Sequence, residues 1–140
     1  MCAAYELNSR MIRPGKWAAF WRKIGSDQLI WAGFARAEIL QWWLHKGGEL
    51  VDVPAHRFAE RSDRSGQLGW DSVPTGKVLR GMIDPNDGKP LLKIVTRPSS
   101  QDEMLRFEHS RMPLIEDPLF SSQPIEVKDE GSSAAQMELF

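Results

Sequence analysis

The sequence predicts an α+β domain that is followed by a disordered tail. Three observations predict it: apolar residues at helical spacing, short runs of strand-forming residues between them, and a final stretch rich in Pro, Ser, Gly and acidic residues. A chain of 140 residues has room for one domain. We therefore place the domain at 1–116 and the disordered tail at 117–140.

In the first half of the chain we predict two helices and one strand. The aromatic residues of segment 16–24 lie at helical spacing, which indicates a short amphipathic helix. Segment 36–46 is rich in helix formers and ends at Gly47, so it predicts a second helix. Segment 49–53 is typical of a strand, and it runs into a proline.

In the second half we predict a loop, a pair of strands and a helix. Ser, Asp, Gly and Pro make segment 61–76 a predicted loop. Strands are predicted at 77–83 and 91–96, because the sequence DPNDGKP between them has turn chemistry. Segment 99–107 predicts a helix whose serine cap precedes acidic residues, which suits the positive end of a helix.

Composition and charge limit the function classes. The chain is 41% hydrophobic and 26% charged, and its apolar runs are too short to cross a bilayer. Its first residues show no charged segment followed by an apolar one, so we expect no secretory signal. We therefore expect a cytoplasmic protein with no membrane partner. Residues 1–115 carry 17 basic and 13 acidic side chains, and residues 116–140 carry one basic and six acidic ones. A mildly basic body permits a polyanionic partner but does not by itself predict nucleic acid.

Cysteine and histidine usage argues against a bound metal. Cys2 is the one cysteine, so neither an intramolecular disulfide nor an all-cysteine metal site can form. His45 and His56 match no metal-binding spacing, and we expect both to be structural or exposed. We predict neither a metal nor a cofactor.

Four segments resemble, in order, the motifs of the SRAP family (SOS response-associated peptidases, abasic-site processing proteins). They are MCAAY at 1–5, FARAE at 34–38, VPAHRFAE at 53–60 and HSRMPLI at 109–115. The resemblance implies a strongly bent, mostly antiparallel sheet with flanking helices, built around the N-terminal cysteine.

The chain also departs from the motifs of this family. Ala4 stands where the family has arginine, and Phe34 stands where it has asparagine. The family's Asn-x-x-Pro and distal Val-Asn segments have no clear counterpart. These departures bear on DNA contacts and on activity.

The resemblance implies a covalent reaction at Cys2. Removal of Met1, the self-processing for which the family is called a peptidase, would leave Cys2 with an α-amine and a thiol on adjacent carbons. An α-amine has a pKa of about 8, so part of it is neutral at pH 7 and adds to an aldehyde. The thiol can then close a five-membered thiazolidine ring. The implied aldehyde is an abasic site in single-stranded DNA, and an ordinary second residue is the alternative.

Glu60 and His109 match the acid/base positions of the family. A carboxylate near the sugar would assist ring opening and attack by the amine, and an imidazole would exchange protons. The alternatives are a solvated surface acid beside Arg57 and Arg61, and a cation at the C-terminal end of a helix.

Arg36 and Arg111 match motif arginines that would bind phosphates, and Phe34 would stack on DNA. The alternative for Arg36 is an ion pair with Glu38. Further cations of the first 23 residues would extend this basic path, with interleaved tryptophans stacking on bases. For Trp17 and Trp21, which belong to that tryptophan cluster, we favour core packing.

The last five residues, QMELF, are similar to the pentapeptide with which bacterial replication and repair proteins bind the β sliding clamp. Gln136, Met137, Leu139 and Phe140 would be the contact residues. The leading hypothesis is therefore a monomeric, nucleoid-associated protein of the DNA damage response that crosslinks abasic sites and is recruited by the clamp. The alternatives are a non-catalytic module that binds the clamp or single-stranded DNA, and an unrelated small adaptor.

Overall fold

The computed structural model describes residues 2–120, and strands predominate in its α+β architecture. Its strands are β1 (Cys2–Leu7), β2 (Arg10–Ile12), β3 (Trp17–Trp21), β4 (Ser26–Arg36), β5 (Glu49–Val53), β6 (Arg57–Arg61), β7 (Leu68–Ser72), β8 (Val78–Asp84), β9 (Leu91–Pro98), β10 (Arg111–Pro113) and β11 (Ile115–Glu116). Its helices are α1 (Leu40–His45) and α2 (Gln101–Phe107), with 3-10 turns at Ala37–Ile39 and Asn86–Gly88. Neither helix of this described part has the length and apolar content needed to cross a bilayer.

The first sheet has the strand order β2-β1-β6-β7, and its three pairings are antiparallel. Asn8 and Ser9 connect β1 to β2, and both have a positive φ, which is typical of the two-residue turns that join twisted strands. The register pairs Tyr5 with Ile12 and with Phe58 on the other side. This sheet carries the N-terminal cysteine.

The second sheet has the order β10-β9-β4-β3-β5-β8-β11, and an extra pairing of β9 with β8 closes its five central strands into a barrel. The β4–β9 pair is parallel and the other pairs are antiparallel. The barrel interior is tightly packed, because a Cβ on Gly81 would lie 2.7 Å from Cγ2 of Val53. The α+β class is confirmed, whereas the strands form two sheets rather than one.

A single large cluster of buried side chains joins the two sheets. Trp31 of β4 is completely buried, and its ring lies 5.5 Å from that of Tyr5 in β1. Phe58 of β6 lies 6.1 Å from Phe107 of α2. Aromatic pairs at such distances add to the apolar area that they bury. Aromatic contacts therefore hold the first sheet against the barrel and α2 against the first sheet.

Most predicted elements are confirmed. The strands predicted at 49–53, 77–83 and 91–96 are β5, β8 and β9, and the predicted turn lies between the last two. The predicted helix at 36–46 is a 3-10 turn followed by α1. Helix α2 begins with a full capping box, in which the Ser100 side chain accepts a hydrogen bond from Glu103 N.

The helix predicted at 16–24 is wrong, because this segment contains strand β3. Ala18 and Phe20 are buried and Trp17 is 60% exposed, an alternation of period two. Aromatic residues fit a pleated surface well, and pairing with β4 on one side and β5 on the other outweighs the helical spacing. Trp17 is therefore not the core residue that we favoured, while Trp21 is half-buried.

The loop predicted at 61–76 is wrong in its centre, where β7 pairs with β6 along five residues. Gly69 within it lets the Phe107 ring approach closely, since a Cβ there would lie 3.2 Å from that ring. The strand is short and contains no β-branched residue, so its composition indicated a loop.

A buried ion pair holds the last described residues. The Asp52 carboxylate is completely buried and accepts a hydrogen bond from Arg80 Nη1 at 2.6 Å. It also accepts bonds from the backbone N–H groups of Leu119 and Phe120. Ordered contacts thus extend past the predicted domain boundary at 116, and the prediction of disorder falls largely on 121–140, outside the described residues.

Candidate functional site

Cys2 begins strand β1, and the register places it opposite Glu60 of β6. Between Cys2 and Ala4 the strand contains a bulge, because two steps on β1 match one step on β6. Directly opposed residues point to the same face of a sheet, and successive residues point to opposite faces. The bulge therefore turns Cys2 to the face of β6 that carries Glu60 and Phe58, and away from the face of Ala4.

The Cys2 side chain is completely buried, and its Sγ donates to the carbonyl oxygen of Ala4 at 3.2 Å. Burial raises the pKa of this thiol, and the nearby Glu60 carboxylate raises it further. The thiol is thus protonated at pH 7, and it needs a base before it can act as a nucleophile.

Glu60 is completely buried in the interior of β6. Burial raises its pKa to about 7, although the positive amino terminus of the chain opposes the rise. The alternative of a solvated surface acid is therefore wrong. A carboxyl group with this pKa both accepts and donates a proton near neutral pH.

His109 follows the left-handed residue Glu108 that ends helix α2. Its Nδ1 accepts a hydrogen bond from the backbone N–H of Arg111 at 3.0 Å, so its proton lies on Nε2, which is 3.6 Å from Asp63 Oδ1. Burial and the positive amino terminus lower its pKa, and Asp63 opposes them. The lowered pKa favours the neutral ring at pH 7, which argues against the alternative of a cation at the helix end.

Hydrogen bonds tie the segment after Glu60 to the segment before His109. Asp63 N donates to the carbonyl oxygen of Glu108 at 2.9 Å, and Ser62 Oγ donates to the Glu108 carboxylate at 2.6 Å. Strands β1 and β10 also contact each other. The fold thus brings Cys2, Glu60 and the His109 segment to one end of the first sheet.

Arg111 is buried and engaged by protein groups. Its guanidinium donates to both carboxylate oxygens of Glu38, at 2.6 and 2.8 Å, and to the hydroxyl and carbonyl oxygens of Thr96. This bidentate pair lowers the pKa of Glu38 to about 2. The ion pair that we considered for Arg36 is made by Arg111 instead.

Arg36 and Phe34 lie on β4 in different environments. Arg36 ends the strand with an exposed side chain, and within residues 2–120 no ion pair engages it. The Phe34 ring is half-buried and meets Trp31 edge-on, with 5.9 Å between ring centroids. Of the three predicted DNA contacts, Arg36 is the one whose side chain is presented to solvent.

Two other sequence-based predictions concern binding groups. Gln136, Met137, Leu139 and Phe140 lie outside the described residues. Within the described residues, His, Cys, Asp and Glu side chains form no group of three that would hold a metal ion.

Sequence reasoning missed three residues of this region. Asp63 faces the imidazole of His109, while Glu38 and Thr96 hold Arg111. Their partners are 46, 73 and 15 residues away along the chain, so no local spacing indicated them. The whole chain matches no protein-family model, no curated protein and no solved structure.

Burial of Glu60 makes stability depend on pH. The folded chain raises the carboxyl pKa to about 7, so it favours the protonated form. The contribution of Glu60 to stability is complete below about pH 4.5 and is lost as pH rises through 7. Urea unfolding should therefore show that Glu60→Gln gains up to roughly 3 kcal/mol relative to the unchanged chain between pH 4.5 and 8. An equal difference at both pH values would contradict this expectation.

Proposed function

We propose that this chain is a covalent abasic-site sensor of the SRAP type, with the two sheets described above corresponding to the bent sheet of that family. It captures the aldehyde of an abasic site in single-stranded DNA through the amine and thiol of Cys2. The observation that carries the proposal is the pairing of Cys2 with the buried Glu60, whose carboxyl pKa is about 7. A merely structural cysteine needs no titratable carboxyl beside it.

The reaction needs no oxidant or reductant. Removal of Met1 frees the Cys2 α-amine, whose nitrogen attacks C1′ of the ring-opened sugar, and the carbonyl oxygen leaves as water. The product is an imine. The Cys2 sulfur then adds to the imine carbon, the thiol proton passes to the imine nitrogen, and the thiazolidine closes. The two nucleophiles share one residue, so the second step is intramolecular and favourable.

Glu60 is suited to move the protons in this sequence. The thiol is held protonated, so a base must take its proton as sulfur attacks. At a pKa of about 7, Glu60 is close to half ionised at neutral pH and serves as acceptor or donor. The neutral imidazole of His109 adds an N–H donor at Nε2, which suits orientation of the sugar oxygen.

Arg36 and Arg111 have different roles in this proposal. Arg36 is exposed and suited to a phosphate. Arg111 is occupied by Glu38 and Thr96, so it supports the β9–β10 edge that leads from His109. It acts as a positioning residue rather than a DNA contact.

A gel assay tests the proposal. The purified protein is incubated with a single-stranded oligonucleotide that bears one abasic site, and the products are separated under denaturing conditions. We expect a band that carries both protein and DNA. A tetrahydrofuran analogue of the abasic site cannot open to an aldehyde, and it serves as the matched control. Crosslinking to the analogue, or none to the abasic strand, would contradict the proposal.

A second candidate is a non-catalytic module that binds the clamp or single-stranded DNA. Two observations favour it: the Cys2 side chain is completely buried, and Arg111 is held by an internal ion pair. This candidate expects no crosslink in the assay above, with clamp binding retained.

We also propose that the terminal QMELF peptide binds the β sliding clamp. Its apolar residues match the spacing of known clamp-binding peptides. Deletion of residues 136–140 should abolish retention of the protein on immobilised clamp and leave the crosslinking rate unchanged, because the Cys2 site lies in residues 2–120. Retention that survives the deletion would show that another part of the chain binds the clamp.

A further inference from the structure

A tight turn between β2 and β3 presents two cations next to an exposed tryptophan. Lys16 N donates to the Arg13 carbonyl oxygen at 3.1 Å, with Pro14 second in the turn and Gly15 third at a φ of +92°. This is the sequence and geometry of a type II turn. The side chains of Arg13 and Lys16 are exposed at its two ends.

The turn is held firmly on the barrel. Gly15 N donates to the Trp31 carbonyl oxygen at 2.7 Å, and Trp31 N donates to the Lys16 carbonyl oxygen at 2.9 Å. Trp31 is completely buried in the core. The turn therefore presents its side chains from a fixed backbone, which lowers the entropy lost when a ligand binds.

Trp17 follows this turn and differs from the other strongly exposed tryptophan. It is 60% exposed, and within residues 2–120 no ring contact or cation engages it. Trp42 is 53% exposed, but its ring packs on Trp43 and lies under the Lys46 ammonium. Trp17 thus offers a large open aromatic face.

The turn lies toward the end of the first sheet that carries Cys2. Strand β2 is antiparallel to β1, with Arg10 opposite Leu7 and Ile12 opposite Tyr5. The chain that continues past Ile12 therefore runs toward the start of β1, where Cys2 stands three residues from Tyr5, roughly 10 Å along a strand. Lys23 is also exposed, but it lies beyond the opposite end of β3, so the structure removes it from the basic path that the sequence predicted.

We propose that Arg13, Lys16 and Trp17, the turn surface, bind single-stranded nucleic acid, with Trp17 stacking on a base and the two cations contacting phosphates. Neither cation has an ion-pair partner among the described residues, so their charge is available to a polyanion. Stacking on an open aromatic ring tolerates any base. One part of this inference rests on the proposed function: the strand bound at this surface is the one that carries the abasic site to Cys2.

Affinity for an intact oligonucleotide tests the turn surface without any crosslinking chemistry. Fluorescence anisotropy with a labelled oligo-dT strand should show that Trp17→Ala weakens binding roughly 5- to 100-fold, while Trp42→Ala has little effect. Lys16→Ala should lower the slope of log affinity against log salt by about 0.7, and Lys23→Ala should leave it unchanged. Urea unfolding of each variant checks that the fold is retained.

The outcomes separate this inference from the proposed function. Equal affinities for Trp17→Ala and Trp42→Ala would overturn the turn surface, even if crosslinking occurs. A selective loss with Trp17→Ala would support it, even if the unchanged chain forms no crosslink. If the unchanged chain forms the crosslink and Trp17→Ala selectively weakens DNA binding, saturating DNA should restore the crosslinking rate of Trp17→Ala. Trp17 binds the strand and takes no part in the reaction.

Discussion

Cys2→Ser is expected to abolish the stable crosslink to an abasic strand while still yielding a product that borohydride traps. After Met1 removal, serine retains the α-amine that forms the imine, but its hydroxyl is a far weaker nucleophile than a thiol and does not close the ring. Because the chain has one cysteine, this variant contains no thiol at all. Denaturing gels with and without borohydride measure the two products separately.

The controls for this prediction concern the amino terminus. Mass spectrometry of the purified protein establishes whether Met1 has been removed, and the fraction that retains it should form no crosslink. A stable crosslink formed by Cys2→Ser in the absence of borohydride would refute the thiazolidine. A crosslink formed by chains that retain Met1 would assign the reaction to another nucleophile.

Glu60→Gln is expected to slow crosslinking by roughly 100- to 10,000-fold, the usual contribution of a positioned acid/base. In the unchanged chain the rate should rise with pH through about 7 as the buried carboxyl ionises. Glutamine cannot ionise, so the inflection at about pH 7 should disappear in the variant, while the separate rise at about pH 8 from the α-amine remains in both chains. The pKa of His109 is lowered, so its ring adds no inflection above pH 6.5. Single-turnover rates between pH 5.5 and 8.5 measure both effects.

Glu6→Gln is the matched control, because Glu6 lies on the same sheet but bonds Arg57 near the far end of β1. It should retain both the rate and the inflection near pH 7. If Glu60→Gln and Glu6→Gln behave alike, Glu60 serves the fold alone. A profile of Glu60→Gln that keeps the inflection would assign it to a different group.

The sequence predicted elements whose local chemistry and tertiary environment agree. Helix α2 has its Ser100 cap and its acidic first turn, and β8 and β9 flank a turn of unambiguous composition. The sequence-based prediction failed where pairing with distant strands determines the secondary structure, as in β3, whose aromatic spacing also fits a helix. Closure of the barrel by the β8–β9 pairing, with β5, β3 and β4 completing it, has no local signal.

The same distinction applies to the site. Motif resemblance selected Cys2, Glu60 and His109, and the fold brings their segments together at one end of a sheet. It could not indicate that Arg111 is held by internal partners, since Glu38 lies in the 3-10 turn after β4, far from Arg111 along the chain. Exposure separates Arg36 from Arg111, although both were selected by the same kind of motif.

The bulge in β1 decides which face of the first sheet carries the Cys2 thiol. Ala3 is the extra residue of this bulge. Because of it, Cys2 shares a face with Tyr5 and Glu60 rather than with Ala4. A β1 strand that kept Ala3 but paired with β6 without the bulge would turn the Cys2 thiol to the face of Ala4, away from Glu60. Substitutions near the amino terminus should therefore preserve the bulge as strictly as the cysteine itself.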